Sequence, residues 1–183
     1  MQDFHEKLDE LYESGDGDNI ERFILDAISS AEENSFELAA LYNELAGLYK
    51  ITGRFADSEK AFTNALETFE RGDFEATSEY ITVLINLVGL YRVRGDFAQA
   101  LVTFRNALSV MRRTFGETAE LAACKKDISD VYLLLGDVPS AVTELKEASA
   151  LMQKLGGFSD DTIIEVRLKL EQLLAAREEI LQQ

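Results

Sequence analysis

The chain has one histidine, His5, and one cysteine, Cys124, the residue types that most often act as nucleophile or metal ligand. A nucleophilic cysteine needs a histidine beside it, and these two lie far apart in the sequence. A structural zinc site needs about four Cys or His ligands, more than the chain supplies. Within the run Leu121–Cys124, the cysteine is expected to be a buried small apolar residue, and His5 a solvated surface residue. We therefore expect no catalytic residue, no metal site and no cofactor.

Three segments of the chain share one spacing of residues around a tyrosine. In each, glycine follows the tyrosine by four positions, an apolar residue by six, a large apolar residue by thirteen and alanine by sixteen. The tyrosines are Tyr49, Tyr91 and Tyr132, which are 42 and 41 residues apart. A nearly constant period indicates that the chain is built from copies of one structural unit.

Each landmark of this repeat has a structural reason. A glycine four residues after the tyrosine suits the C′ position that ends a helix, where the backbone takes a positive φ. Asp96 and Asp137 follow two of these glycines, at the N-cap position of the next helix. Phe62 and Ala65 are three residues apart and share a helical face, so the alanine lets a neighbouring helix approach closely. Each unit is therefore predicted to be two antiparallel helices joined by a tight turn.

This pattern resembles the tetratricopeptide repeat family over residues 36–154. The usual period of that family is 34 residues, and the longer period here is similar to that of kinesin light chains and many bacterial tetratricopeptide proteins. The resemblance implies an all-α fold, a right-handed superhelical solenoid of helical hairpins. The chain departs from the family pattern at Ser58, where the other units have alanine, and in the third unit, whose second helix lacks aromatic residues.

Apolar residues at helical spacing between the glycine breaks predict nine helices. They are expected near residues 3–14, 19–33, 36–52, 55–71, 77–94, 97–114, 118–135, 138–154 and 161–181. We predict a single domain over 1–183, with a helical-hairpin cap at 1–35, three units over 36–154 and a C-terminal capping helix within 155–183. The apolar side of that last helix is expected to cover Val142, Leu145 and Ala148.

In the resembled family, the first helix of each unit lines a concave groove that binds extended peptides. The resemblance assigns this position, around each tyrosine, to Asn43, Gly47, Lys50, Thr82, Asn86, Gly89, Arg92, Lys126, Asp127, Asp130 and Leu133. Asparagine can both donate to and accept from a peptide backbone, and Gly47 and Gly89 would let a ligand approach closely. However, Asn43 precedes its tyrosine by six residues and Asn86 by five, so the two are not equivalent. The alternative is that these are ordinary solvated helix residues.

Acidic side chains outnumber basic ones by 34 to 18, which gives a formal net charge of −16. This excess repels phosphate, so nucleic acid and anionic membranes are not expected as partners. Residues 77–118 differ, with three acids against five arginines, and could attract a partner carboxylate. A basic partner on the acidic N-terminal third remains open. The N-terminus shows no secretory signal and no apolar run approaches the ~20 residues of a membrane span, so we expect a cytoplasmic protein.

These expectations together favour a non-catalytic module that binds a peptide or the surface of a protein partner through the concave groove. Two alternatives remain. The chain could be an assembly subunit that uses its convex face or its terminal helix. It could also be a peptide-responsive sensor whose effector domain is lost or supplied by a partner. The partner's identity and the oligomeric state are left open.

Overall fold

The computed structural model describes residues 2–181, with side chains for residues 4, 6–159 and 161–175. Within that range the chain forms nine helices and no strand, as the repeat pattern predicts. They are α1 (Gln2–Ser14), α2 (Gly17–Ser30), α3 (Phe36–Ile51), α4 (Phe55–Arg71), α5 (Ser78–Arg94), α6 (Phe97–Phe115), α7 (Ala119–Leu134), α8 (Val138–Leu155) and α9 (Asp160–Leu181). No helix in the described part of the chain is both long and apolar enough to span a membrane.

Helix α2 begins and ends earlier than the sequence predicts. Its first turn is capped by Asp16, whose carboxylate accepts a hydrogen bond from the Asn19 backbone N–H at 3.1 Å. The helix ends where Ala31 takes an extended conformation, with φ −76° and ψ 150°. Glu32 and Glu33 therefore lie outside the helix.

The chain divides into two compact units, each larger than one repeat. From here on, the first unit is residues 1–90 and the second unit is residues 91–183. In the first unit α1 packs against α2, α2 against α3, and α3 against α4. In the second unit α6 packs against α7, α7 against α8, and α8 against α9. The hairpins α3–α4 and α7–α8 are the first and third of the three predicted repeats. That residues 1–183 act as a single domain stays a prediction.

The turn inside each repeat is a Schellman motif, which explains the spacing between tyrosine and glycine. The tyrosine carbonyl accepts a hydrogen bond from the N–H of the residue after the glycine. The N···O distances are 2.8 Å for Arg54 to Tyr49, 2.8 Å for Asp96 to Tyr91 and 2.9 Å for Asp137 to Tyr132. The glycines between them have φ of 77°, 78° and 75°, a conformation that costs glycine little. The glycine is therefore a requirement of the turn.

The large and small residues of the repeat form the core as predicted. Phe62, Phe104 and Leu145 are buried at equivalent positions, and the alanine three residues after each is fully buried. Ser58, the departure from the family pattern, is also fully buried. Its hydroxyl donates to the Ala46 carbonyl oxygen on α3 at 2.7 Å. A serine is tolerated among the alanines because its polar group is hydrogen-bonded.

In the turn after α4, a glycine is needed because neighbouring atoms leave no room for a side chain. Gly72 has an ordinary φ of −91°, and the positive φ belongs to the next residue, Asp73, at 59°. A Cβ at position 72 would lie 2.6 Å from the Asn34 carbonyl oxygen and 2.5 Å from a ring carbon of Phe74. A larger residue would therefore push the backbone before α3 away from the end of α4.

The two aspartates predicted as N-caps behave differently. Asp137 caps α8, since its carboxylate accepts a hydrogen bond from the Ser140 backbone N–H at 3.1 Å. Asp96 holds the N-cap position of α6 but caps nothing with its side chain. Its carboxylate instead pairs with the Arg94 guanidinium at 2.9 Å. Both aspartates therefore hold the predicted N-cap position, but only Asp137 caps its helix with its side chain.

Replacing Asp137 by alanine is expected to lower the melting temperature at neutral pH, because the first turn of α8 loses its cap. The hydrogen bonds from Ser140 lower the pKa of the Asp137 carboxyl in the folded chain. The stability that the ionised Asp137 carboxylate contributes is therefore fully present above its unfolded-state pKa. It is lost as the pH falls through the folded-state pKa.

Thermal melts of Asp137→Ala, with Asp96→Ala as the matched control, measure this effect. The difference between the Asp137 variant and wild type should be larger at pH 7 than at the acid end of the titration. An equal effect of both variants at every pH would contradict the assignment of the cap.

Candidate functional site

Two predicted binding residues of the first unit lie side by side. The Asn86 amide nitrogen on α5 donates to the Asn43 amide oxygen on α3, with an Nδ2···Oδ1 distance of 3.1 Å. Both side chains are half-buried. This hydrogen bond uses one amide N–H group of Asn86 and the amide oxygen of Asn43. The Asn43 amide N–H groups and the Asn86 amide oxygen remain available. The different offsets of the two residues from their tyrosines do not keep them apart.

The two glycines predicted as binding residues, Gly47 and Gly89, have no atom in close contact with the position of a Cβ. No heavy atom would come within 4 Å of a Cβ at Gly47. At Gly89 the nearest atom would be the Lys50 ammonium nitrogen, at 3.7 Å. The Lys50 side chain of α3 therefore reaches across to α5. Thr82, also predicted here, is exposed, and its hydroxyl donates to the Ser78 carbonyl within α5.

Two predicted residues of the second unit, Lys126 and Asp130, form ion pairs with helix α9. The Lys126 ammonium lies 3.8 Å from the Glu165 carboxylate and 3.9 Å from that of Asp127. Asp130 forms an ion pair and hydrogen bond with Lys169. Both α7 side chains therefore have a charged partner on α9. The sequence pattern, which aligned only the repeats, did not indicate these pairs.

Asp127 lies among several charges on this face. Burial raises the pKa of its carboxyl, and Lys126, Arg92 and Lys169 act against that rise, while Asp130 adds to it. The Arg92 side chain is exposed. Its positive charge thus acts on a carboxylate of the chain itself, which reduces the field that it offers to a partner.

The repeated tyrosines have polar partners that the sequence analysis missed. The Tyr49 hydroxyl donates to the Glu21 carboxylate on α2 at 2.7 Å. Burial and this hydrogen bond raise the pKa of Tyr49 to about 12. The Tyr132 hydroxyl instead accepts from the Arg105 guanidinium on α6. The partner precedes the tyrosine by 28 and 27 residues, a near-constant separation that could have indicated both contacts.

Lys125, a buried lysine, forms ion pairs that join the two helices of the third repeat. Its side chain is 8% exposed and its ammonium lies 2.8 Å from Glu144 and 2.7 Å from Glu147, both on α8. The adjacent Cys124 is buried, and that burial raises the pKa of its thiol to about 12. The thiol is thus protonated at neutral pH, as expected for a core residue.

The described residues contain no group of three or more His, Cys, Asp or Glu side chains placed to hold a metal ion. The side chain of His5 lies outside the described part of the structure.

Part of the repeat region matches a known protein family. Residues 79–154 match the model of a family described as tetratricopeptide repeat. Residues 79–154 are therefore tetratricopeptide repeats. The matched segment begins in α5 and ends in α8, so it covers the second and third of the three repeats found in the sequence. No curated protein matches the chain.

Solved structures of tetratricopeptide-like proteins superimpose on most of the chain. BtubC (BKLC) from P. vanneervenii does so with a TM-score of 0.78 and 21% identity, over 93% of this chain and 70% of that one. A putative kinesin light chain with TPR-like repeats from Podosopora anserina gives 0.76 and 14%, over 97% and 87%. The TPR2AB domain of yeast Sti1, solved as a complex with pHSP90, gives 0.58 and 14%, over 80% and 50%. These likenesses show the fold predicted from the sequence, an all-α solenoid of helical hairpins.

Proposed function

We propose that the chain is a non-catalytic module that recognises a peptide segment of a partner protein. The binding face consists of Asn43, Gly47, Lys50, Thr82, Asn86 and Gly89 in the first unit. In the second unit, taken by itself, the candidate binding residues are Arg92, Lys126 and Asp130. The fold supports a role in protein recognition, because the Sti1 structure of the same fold was solved as a complex with pHSP90.

The observation that carries this proposal is the pair of amides at Asn43 and Asn86. With one hydrogen bond between them, the pair still presents N–H donors on Asn43 and an acceptor oxygen on Asn86. A peptide group of a bound segment offers the complementary carbonyl and N–H. Hydrogen bonds of this kind hold the partner's backbone whatever its sequence. Specificity for the sequence would then come from neighbouring side chains such as Lys50.

The test uses a peptide selected from a random library for binding to the wild-type chain. Its affinity for Asn86→Ala is expected to fall about tenfold, since a peptide group loses its partner in the complex. Asn106→Ala, which removes an exposed asparagine from α6, is the matched control and should leave the affinity unchanged. A selected peptide that binds Asn86→Ala and wild type equally well would place the interface elsewhere.

Gly47→Ala is expected to affect stability and binding in opposite directions. Alanine in a helix interior is more favourable than glycine by about 1 kcal/mol, and the open space at Gly47 holds the new methyl group without a clash. The melting temperature should therefore rise. The same methyl group would obstruct a ligand that approaches the helix backbone, so the affinity for the selected peptide should fall. Unchanged peptide affinity would show that nothing approaches this surface.

Helix α9 supports a second function, assembly through the helix itself. Ile164 and Leu168 are four residues apart, share a face, and are 50% and 52% exposed. Light scattering after size exclusion compares wild type with Ile164→Ser/Leu168→Ser. A wild-type oligomer that the double variant dissociates would favour assembly, whereas monomers in both cases would exclude this face.

A further inference from the structure

Helix α6 differs in charge from the other helices of the described chain. It contains Arg105, Arg112 and Arg113 and no acidic residue, whereas each of the other eight helices contains at least one acid. All three arginines are exposed. A chain of net charge −16 therefore carries one helix that is purely basic.

The three arginines line one cleft of the second unit. Its volume is about 480 Å³, and its polar lining is Arg105, Ser109, Arg112 and Arg113 from α6, Lys125 from α7 and Glu147 from α8. Clefts of about 300–1,000 Å³ are of the size that holds ligands. This surface is separate from the proposed peptide-binding residues of the unit, which are Arg92 on α5 and the α7 residues that contact α9.

Positive charge in the cleft is only partly neutralised by the chain. The Lys125 ammonium is held by Glu144 and Glu147, while Arg105 donates to the uncharged Tyr132 hydroxyl. Glu117, the acid on which the Arg112 charge acts, is paired with Lys154. Arg112 and Arg113 form no ion pair within 4.0 Å with any side chain that the structure describes. The helix dipole favours basic residues in the last turn of α6, but it does not account for Arg105 in the middle of the helix.

We propose that this cleft binds an acidic segment of a partner protein. Each guanidinium can hold a carboxylate through two parallel hydrogen bonds, which a lysine cannot do. Arg105 and Arg112 are seven residues apart on one face, roughly 10 Å along the helix. Carboxylates three residues apart on a polyproline II segment lie on the same side of it and are about 9 Å apart, a similar distance. The cleft therefore fits a segment with glutamate or aspartate at that spacing.

Fluorescence anisotropy with a fluorescein-labelled decaglutamate peptide tests the proposal. Wild type is expected to bind this probe in 50 mM NaCl and to weaken at 300 mM, because salt screens exposed charges. Arg112→Glu/Arg113→Glu should reduce the affinity at least tenfold, and the neutral pair Arg112→Gln/Arg113→Gln should reduce it less. Circular dichroism verifies that each variant keeps its helices.

The matched control is Lys60→Glu/Arg71→Glu, which makes the same change in net charge at exposed positions of α4 in the first unit. It should change the affinity by less than twofold. Equal losses in the control and in the Arg112/Arg113 variants would overturn the proposal, because net charge alone would then explain binding. It would also be overturned by absence of probe binding to wild type at 50 mM NaCl, or by tighter binding of a labelled single-stranded oligonucleotide than of decaglutamate.

Discussion

Replacing Phe104 by alanine is expected to lower the free energy of unfolding by about 3–5 kcal/mol, the usual cost of removing a buried aromatic ring. Phe104 is 2% exposed, and the alanine one turn later, Ala107, is fully buried. The neighbouring helices can approach only as far as these packed residues allow, so the space left by the ring would stay largely empty. Urea denaturation followed by circular dichroism measures the loss.

The same helix supplies the control for this prediction. Phe115 lies at the end of α6 and is 50% exposed, so Phe115→Ala removes an identical ring from a largely solvated position. Its effect should be a small fraction of that of Phe104→Ala. Similar losses for the two variants would show that the repeat position of Phe104 is not a core position.

Ending the chain at Gly157 is expected to lower the free energy of unfolding by about 2–5 kcal/mol, comparable to large core losses. Helix α9 packs against α8, and its Val166 is 1% exposed. Without α9, the apolar side of α8, predicted to include Val142 and Leu145, would face water. The shortened chain should therefore melt at lower temperature and associate through the uncovered surface. Melting curves and light scattering measure both.

Point variants of α9 test whether its buried side chain, rather than the helix as a whole, stabilises the chain. Val166→Ala removes methyl groups from a buried position, while Ile164→Ala changes a side chain that is half-exposed. Only the first should destabilise the chain clearly. A chain ending at Gly157 that stayed monomeric with an unchanged melting temperature would refute the capping role of α9.

The sequence predicted those parts of the structure that depend on local geometry. The fixed distance from Tyr49 to Gly53 follows from one turn type, so the helix pairs and their turns could be located by counting residues. The end of α2 could not, because it depends on the conformation that Ala31 adopts after the last turn. Likewise, Asp96 had two competing partners, the helix N-terminus and Arg94, and the sequence did not decide between them.

For the candidate site, the sequence indicated which residues share a helix face but not which side chains pair with one another. Spacing along one helix shows which residues share its face, whereas contacts between helices depend on how far each side chain reaches. The Asn43–Asn86 pair therefore formed despite unequal offsets. The partners of Lys126 and Asp130 lie on α9, outside the three aligned segments, so no repeat alignment could reveal them.

The tyrosine hydroxyls allow the helix that precedes a repeat to change charge while the tyrosine stays constant. At one repeat position the phenol donates to a carboxylate, Glu21, and at another it accepts from a guanidinium, Arg105. Since a hydroxyl can do either, the same aromatic residue is compatible with an acidic or a basic neighbour. Copies of a duplicated unit can therefore diverge into surfaces of opposite sign without any compensating substitution at the tyrosine.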